Sequence, residues 1–154
     1  MKSETGYSLT ELMVVIAVLG IVTAFAVPAI NHYAANSNLK TAARDIASDI
    51  YALRERAVSE NRQYLIEFTS GNNSYTLYQG TYSGEPWTAV QAKSLLAAAK
   101  DIRFTEVSFD DQKISFSTRG LARNGHVSVA NRYNSTATIT VNITGKTHVR
   151  FNMQ

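Results

Sequence analysis

Residues 12–30, LMVVIAVLGIVTAFAVPAI, run for nineteen positions without a charge, and Thr23 is the only polar side chain among them. As a helix this run covers about 28 Å, close to the hydrocarbon thickness of a bilayer. A segment this apolar needs lipid or protein around it. Glu11 stands directly at its start. A cleaved secretory signal has a basic start, an apolar stretch of only about 7–15 residues and a small-residue cleavage site. A plain signal anchor accepts the length but leaves the Glu11 carboxylate unexplained at the membrane edge, where ionisable groups ordinarily have a partner.

The remainder fits one ordinary domain. The chain has 154 residues, of which 45% are hydrophobic and 18% charged, which excludes both a disordered tail and a bulk membrane protein. It has no cysteine, so disulfide frameworks, thiolate metal sites and cysteine nucleophiles are excluded together. The net charge of +3 conceals a segregation. Residues 31–111 hold eight basic and ten acidic side chains, whereas residues 112–154 hold six basic ones (Lys113, Arg119, Arg123, Arg132, Lys146, Arg150) and no acid.

From Leu39 the apolar residues recur every three or four positions: Leu39, Ala42, Ala43, Ile46, Ile50, Leu53 and Ala57. This spacing predicts an amphipathic helix that continues the apolar one and lays its stripe on a sheet. A partner helix could take the same stripe, while the mixed charge opposite argues against a membrane-surface helix. After Glu60 the period becomes two. Strands are expected over 64–68 and 75–78 with a turn at 71–74, then over 102–108, 113–117, 126–130, 136–143 and 146–151. Residues 80–88, with Gly84, Pro86 and Trp87, read as a loop, and 89–100 as a short helix of high propensity. The expected fold class is α+β: a long N-terminal helix, membrane-spanning in its first half, packed on a C-terminal antiparallel β-sheet or sandwich head.

A search for catalysis is negative. His32, His126 and His148 share no metal-ligand spacing, and Asp110-Asp111 falls where a turn is expected. Gly120 and Gly125 have the separation of a phosphate-binding loop, but His126 stands where the lysine would be. There is no G-x-S-x-G elbow. Neither an enzyme nor a cofactor is expected.

The order Met1-Lys2-Ser3-Glu4-Thr5-Gly6, then Tyr7-Ser8-Leu9-Thr10-Glu11-Leu12-Met13 and the apolar run, resembles the processing site of type IV prepilins and type II secretion pseudopilins. The resemblance implies cleavage after Gly6 by a prepilin peptidase and methylation of the new amine at Tyr7. It also implies an assembly role for Glu11, the fifth residue after the cut, whose carboxylate neutralises the terminal amine of a neighbouring subunit. Gly20 and Pro28 fall where such helices carry weakening residues; ordinary membrane helices carry them too. Tyr7 departs from the usual phenylalanine, Thr10 from the usual aliphatic, and the leader has one Lys/Glu pair rather than a basic excess. The implied organisation is a leader (1–6), a transmembrane and filament-core helix (7–30), its amphipathic continuation (31–60) and a β head (61–154). Implied partners are other pilins or pseudopilins, the peptidase/methyltransferase and an inner-membrane assembly platform. The head would lie in the periplasm, and the machine would be a type II secretion pseudopilus or a type IV pilus.

The segments Ile114-Ser115-Phe116-Ser117-Thr118-Arg119-Gly120 and Ile143-Thr144-Gly145-Lys146-Thr147-His148-Val149-Arg150 resemble the GspH/FimT class of pseudopilins and minor pilins. Some members of that class bind DNA through a C-terminal glycine–arginine motif, which Gly145 to Arg150 approximates with Lys146 in place of the first arginine. Arg119, Arg123, Lys146 and Arg150 are therefore candidate DNA contacts, since clustered cations bind phosphate backbones by releasing counterions. The other reading is a solvated sheet surface whose acidic partners come from residues 31–111 or from neighbouring subunits.

Overall fold

A computed structural model describes residues 8–95 and 101–154. Gly6 and Tyr7 lie outside the described residues, as does the end of the helix expected over 89–100. One helix, α1 (Leu9–Ser59), runs through two compact units, residues 1–34 and 35–154.

In the first unit Ser8 starts the helix. Its hydroxyl accepts from the Thr10 backbone N–H at 3.2 Å and its carbonyl accepts from Leu12 N–H at 3.1 Å. A serine at this position satisfies an amide that the first turn leaves without a helical partner. Glu11 sits in that first turn, where the helix dipole favours negative charge. The large apolar side chains described from Leu9 to Ile30 are all exposed, and the segment is long and apolar enough to cross a membrane. Thr23 directs its hydroxyl to the Leu19 carbonyl at 2.7 Å, so no polar side chain of the run is left open to lipid. The helix is unbroken at Gly20 and at Pro28.

In the second unit the predicted stripe is the inner face of α1: Leu39, Ala42, Ala43, Ile46, Ile50, Leu53 and Ala57 are all buried. The polar side chains between them stay at the surface, which is why period 3.6 could place this face. Eight strands follow: β1 (Tyr64–Thr69), β2 (Ser74–Thr81), β3 (Gly84–Ser94), β4 (Arg103–Val107), β5 (Lys113–Phe116), β6 (Gly125–Ala130), β7 (Thr136–Val141) and β8 (Thr147–Asn152). They form two antiparallel four-stranded sheets, ordered β3-β2-β1-β5 and β4-β6-β7-β8. The helix stripe and the inner residues of both sheets share one apolar core. Phe68 of β1 joins the sheets, meeting Phe104 of β4 edge-on at 5.6 Å between ring centres and Phe109 in a stack at 6.4 Å.

Two expectations fail between residues 80 and 94. The expected loop over 80–88 is only Tyr82 and Ser83, because β2 runs to Thr81 and β3 starts at Gly84. The expected helix over 89–100 is strand as far as Ser94. Residues 88–94 have good intrinsic helix formers, but β2 offers them a ladder that runs from Thr88 opposite Gln79 to Ser94 opposite Ser74. Tertiary pairing overrides propensity here. Gly80 marks a close approach rather than a flexible loop, since a Cβ there would stand 2.8 Å from the Trp87 ring.

Replacing Ile50, fully buried at the centre of the stripe, by alanine is expected to lower unfolding stability by about 2–5 kcal/mol. Thr140→Ala, at an exposed position on β7, is expected to stay within about 0.5 kcal/mol. Equilibrium denaturation of the two variants in parallel measures both.

Candidate functional site

The two segments that carry the class resemblance, far apart in sequence, meet in space. The turn after β5 closes with Gly120 N–H donating to the Ser117 carbonyl at 2.8 Å, and the β7–β8 turn with Gly145 N–H donating to Asn142 at 2.9 Å. Both glycines have φ of +73°, a region open to glycine at little cost. A Cβ on Gly145 would strike the Gly120 carbonyl oxygen and stand 2.7 Å from Arg54 Cδ, and one on Gly120 would lie 2.9 Å from Val58 Cγ2. Arg54, on the flank of α1, donates from Nε to the Thr144 carbonyl at 3.2 Å and from Nη1 to Glu55 at 2.8 Å. Ala122 N–H reaches the Ile143 carbonyl at 3.2 Å. Helix, first sheet and second sheet are thus tied at one point. Asn142 shapes its turn through Oδ1, which accepts from Thr144 N–H at 3.1 Å and Lys146 N–H at 2.9 Å.

This junction divides the four candidate DNA contacts. Arg119 and Lys146 flank the touching glycines and are exposed. Arg123 is ion-paired with Asp110. Arg150 lies on β8 opposite Thr138, facing out of the second sheet with His148 and Asn152. Of the six C-terminal cations, Lys113 meets Glu67 at 3.2 Å, Arg132 meets Asp101 at 3.4 Å and Arg123 meets Asp110. All three acids come from residues 31–111. Among the described residues Arg119, Lys146 and Arg150 have no ion pair within 4 Å.

The histidines stand apart. His126 Nε2 lies 3.3 Å from Glu106, His148 is exposed and His32 is half-buried. Among the described residues no three His, Asp or Glu side chains are grouped to hold a metal. Asp110 and Asp111 occupy a short turn, as their sequence suggested, with Asp111 at φ 52°.

Sequence reasoning missed a polar cluster between α1 and the end of β3. Asp49 accepts from Lys93 Nζ at 2.7 and 2.8 Å and from the Tyr75 hydroxyl at 2.6 Å, beside a surface cleft of about 570 Å³. Burial, then the hydrogen bond to Asp49 and its negative charge, push the Tyr75 phenol far above the ordinary tyrosine range. At the helix end the Tyr64 hydroxyl donates to Glu60 at 2.6 Å, and with Arg56 at 2.9 Å it holds the Glu60 carboxyl below its ordinary value. Nothing in the spacing of Asp49, Tyr75 and Lys93 marks them as a group: Asp49 falls on the charged side of the helix, Tyr75 in the strand expected over 75–78 and Lys93 in the helix expected over 89–100.

Residues 42–145 match the family described as type II transport protein GspH, and residues 1–27 match the prokaryotic N-terminal methylation motif. The chain belongs to the GspH family. Its fold is similar to that of the minor pseudopilin EpsH from the type 2 secretion system of Vibrio cholerae, at 13% identity and a TM-score of 0.60, covering 75% of this chain and 97% of that one. It is also similar to the type IV minor pilin FimU of Pseudomonas aeruginosa, at 13% identity and a TM-score of 0.59, covering 74% and 89%. A fimbrial protein of Pseudomonas aeruginosa is 29% identical over 77 residues, which are 50% of this chain and 49% of that protein. The chain spans about half the length of the curated relatives it matches.

Two measurements probe these clusters. Gly145→Ala forces a left-handed φ on alanine and drives its Cβ into the Gly120 carbonyl, so a loss of about 1–3 kcal/mol in unfolding stability is expected by denaturant titration. The raised Tyr75 pKa means the folded state keeps a proton that the unfolded chain releases in alkali. Its contribution is complete below the ordinary tyrosine pKa and declines as pH rises above about 10, by up to about 1.4 kcal/mol per pH unit. Denaturation at a series of pH values above 9 should show that decline in the native protein and a shallower one in Tyr75→Phe.

Proposed function

We propose that this chain is a non-enzymatic structural subunit, a minor pseudopilin or minor pilin. It is made as an inner-membrane prepilin, with its β head in the periplasm, and assembled into a type II secretion pseudopilus or type IV pilus. The observation that carries this reading is the joining, on one chain, of a methylation motif over residues 1–27 to a GspH match over residues 42–145. The exposed apolar face of α1 supports it, because that surface requires lipid before assembly and other helices afterwards.

In this reading the leader is residues 1–6, and a prepilin peptidase of the inner membrane cuts after Gly6 and methylates Tyr7. The cut creates an amine four residues before Glu11. Within an apolar bundle the Glu11 carboxylate then has a cation to meet on a neighbouring subunit, where attraction at low dielectric is strong and an unmatched charge is costly. The carboxylate therefore acts as a register mark: a helix sliding past its neighbour by one turn would bury the charge unpaired. Residues 7–30 form the filament core, 31–60 carry the helix into the head, and 61–154 are the head. An assembly platform in the inner membrane would draw the subunit from the lipid.

Gly6→Ala is expected to retain the leader, seen by mass spectrometry as an uncut chain when the matching peptidase is present. Glu11→Ala is expected to be cut normally yet enter filaments at least about tenfold less, a change of about 1.4 kcal/mol. Quantitative blotting of sheared filaments against whole cells reads this ratio. Incorporation of Glu11→Ala at the native level would overturn the pairing argument.

A further inference from the structure

Four large apolar side chains stand exposed around the glycine junction: Tyr51 at 59%, Val58 at 48%, Leu121 at 50% and Ile143 at 65%. Val58, Leu121 and Ile143 border the junction, and Tyr51 extends the exposed helix face away from it. Tyr51 and Val58 lie seven residues apart on α1 and share a face of the helix. Val58 Cγ2 borders Gly120, Leu121 follows Gly120, and the Ile143 carbonyl accepts from Ala122. Its rim carries Arg119 and Lys146, which have no ion pair among the described residues, while the one carboxylate on the same stretch of helix, Glu55, is held by Arg54.

We infer that this patch is a docking surface for a different subunit of the filament, one that presents an apolar centre flanked by carboxylates, because a second copy meeting it through the same patch would set like charges against Arg119 and Lys146. The inference rests on the structural-subunit reading above and adds the contact face and the chemistry of its partner. Two features select that occupant. The rim offers two cations without an ion pair among the described residues, so the complementary surface brings acids. The centre gains from burial only against another apolar surface. Nucleic acid would match the cations but leave four apolar side chains in water. A fluid lipid surface would accept both, but Val58, Leu121 and Ile143 come from three elements pinned by backbone hydrogen bonds. A rigid outline of that kind is matched best by another protein of fixed shape.

The test is made on the full chain in the cells that express it, with a photo-crosslinking amino acid at 121 or 143 and, as control, at Thr140 on the outer face of β7. Positions 121 and 143 are expected to give an adduct with another subunit bearing an N-terminal pilin-type helix, joined through a peptide that contains Asp or Glu, and position 140 none. The pair Arg119→Glu and Lys146→Glu is expected to lower the adduct yield roughly tenfold or more, with the thermal midpoint of the purified protein unchanged. Reversing the partner's mapped carboxylates to lysine is expected to restore the yield. An adduct with a second copy of this chain, with DNA or with lipid overturns the inference, as does a yield that ignores the charge reversal or the absence of any adduct. Leader removal is scored on the same samples. A retained leader overturns the structural-subunit reading and this inference with it, whereas a cut leader without the adduct overturns this inference alone.

Discussion

Burial of the stripe from Leu39 to Ala57 is the interaction on which the rest of the head depends. Both four-stranded sheets present their inner residues to one core that the helix completes. Alanines at 42, 43 and 57 keep the helix backbone close to the strands, while Leu39, Ile46, Ile50 and Leu53 supply the volume. The same helix continues toward the N-terminus without a break, but there its apolar residues cover every side instead of one. A single element therefore serves two solvents. Its C-terminal half is amphipathic because a sheet covers one face and water the other, whereas the large apolar side chains described in its N-terminal half are all exposed.

Charge follows a parallel logic. The acid-free C-terminal segment reads as a basic tail when counted along the chain, yet folding brings Glu67, Asp101 and Asp110 from the middle of the chain to Lys113, Arg132 and Arg123. Such exposed pairs contribute little to stability. Their effect is on the map of the surface: three of the six C-terminal cations are matched, and among the described residues Arg119, Lys146 and Arg150 have no ion pair.

Much of this was legible in the residues. The helix stripe was visible because one face is covered and the other wet, which imprints period 3.6 directly. The N-terminal methylation motif and the apolar run were visible because their order is local. The strands β1, β2 and β4 to β8 alternate or sit between turn residues, and they fell close to the expected positions. Strand β3 did not, because its state is set by β2 alongside and by the close approach of Gly80 to Trp87, and neither β2 nor Gly80 lies within a window over 84–94. The glycine junction was half legible: both motifs could be seen, but their meeting over Arg54 joins residues 90 positions apart. Asp49, Tyr75 and Lys93 were illegible for the same reason.

The contact among Arg54, Gly120 and Gly145 also bears on how such a chain can change over time. A side chain at 145 would meet both the Gly120 carbonyl and the Arg54 arm, so the 117–120 turn and the arginine would have to shift together. The three positions therefore constitute one inherited character rather than three. Substitutions among them would be tolerated in combination and penalised singly, so a lineage that loses one glycine would be expected to rebuild the whole corner of the head.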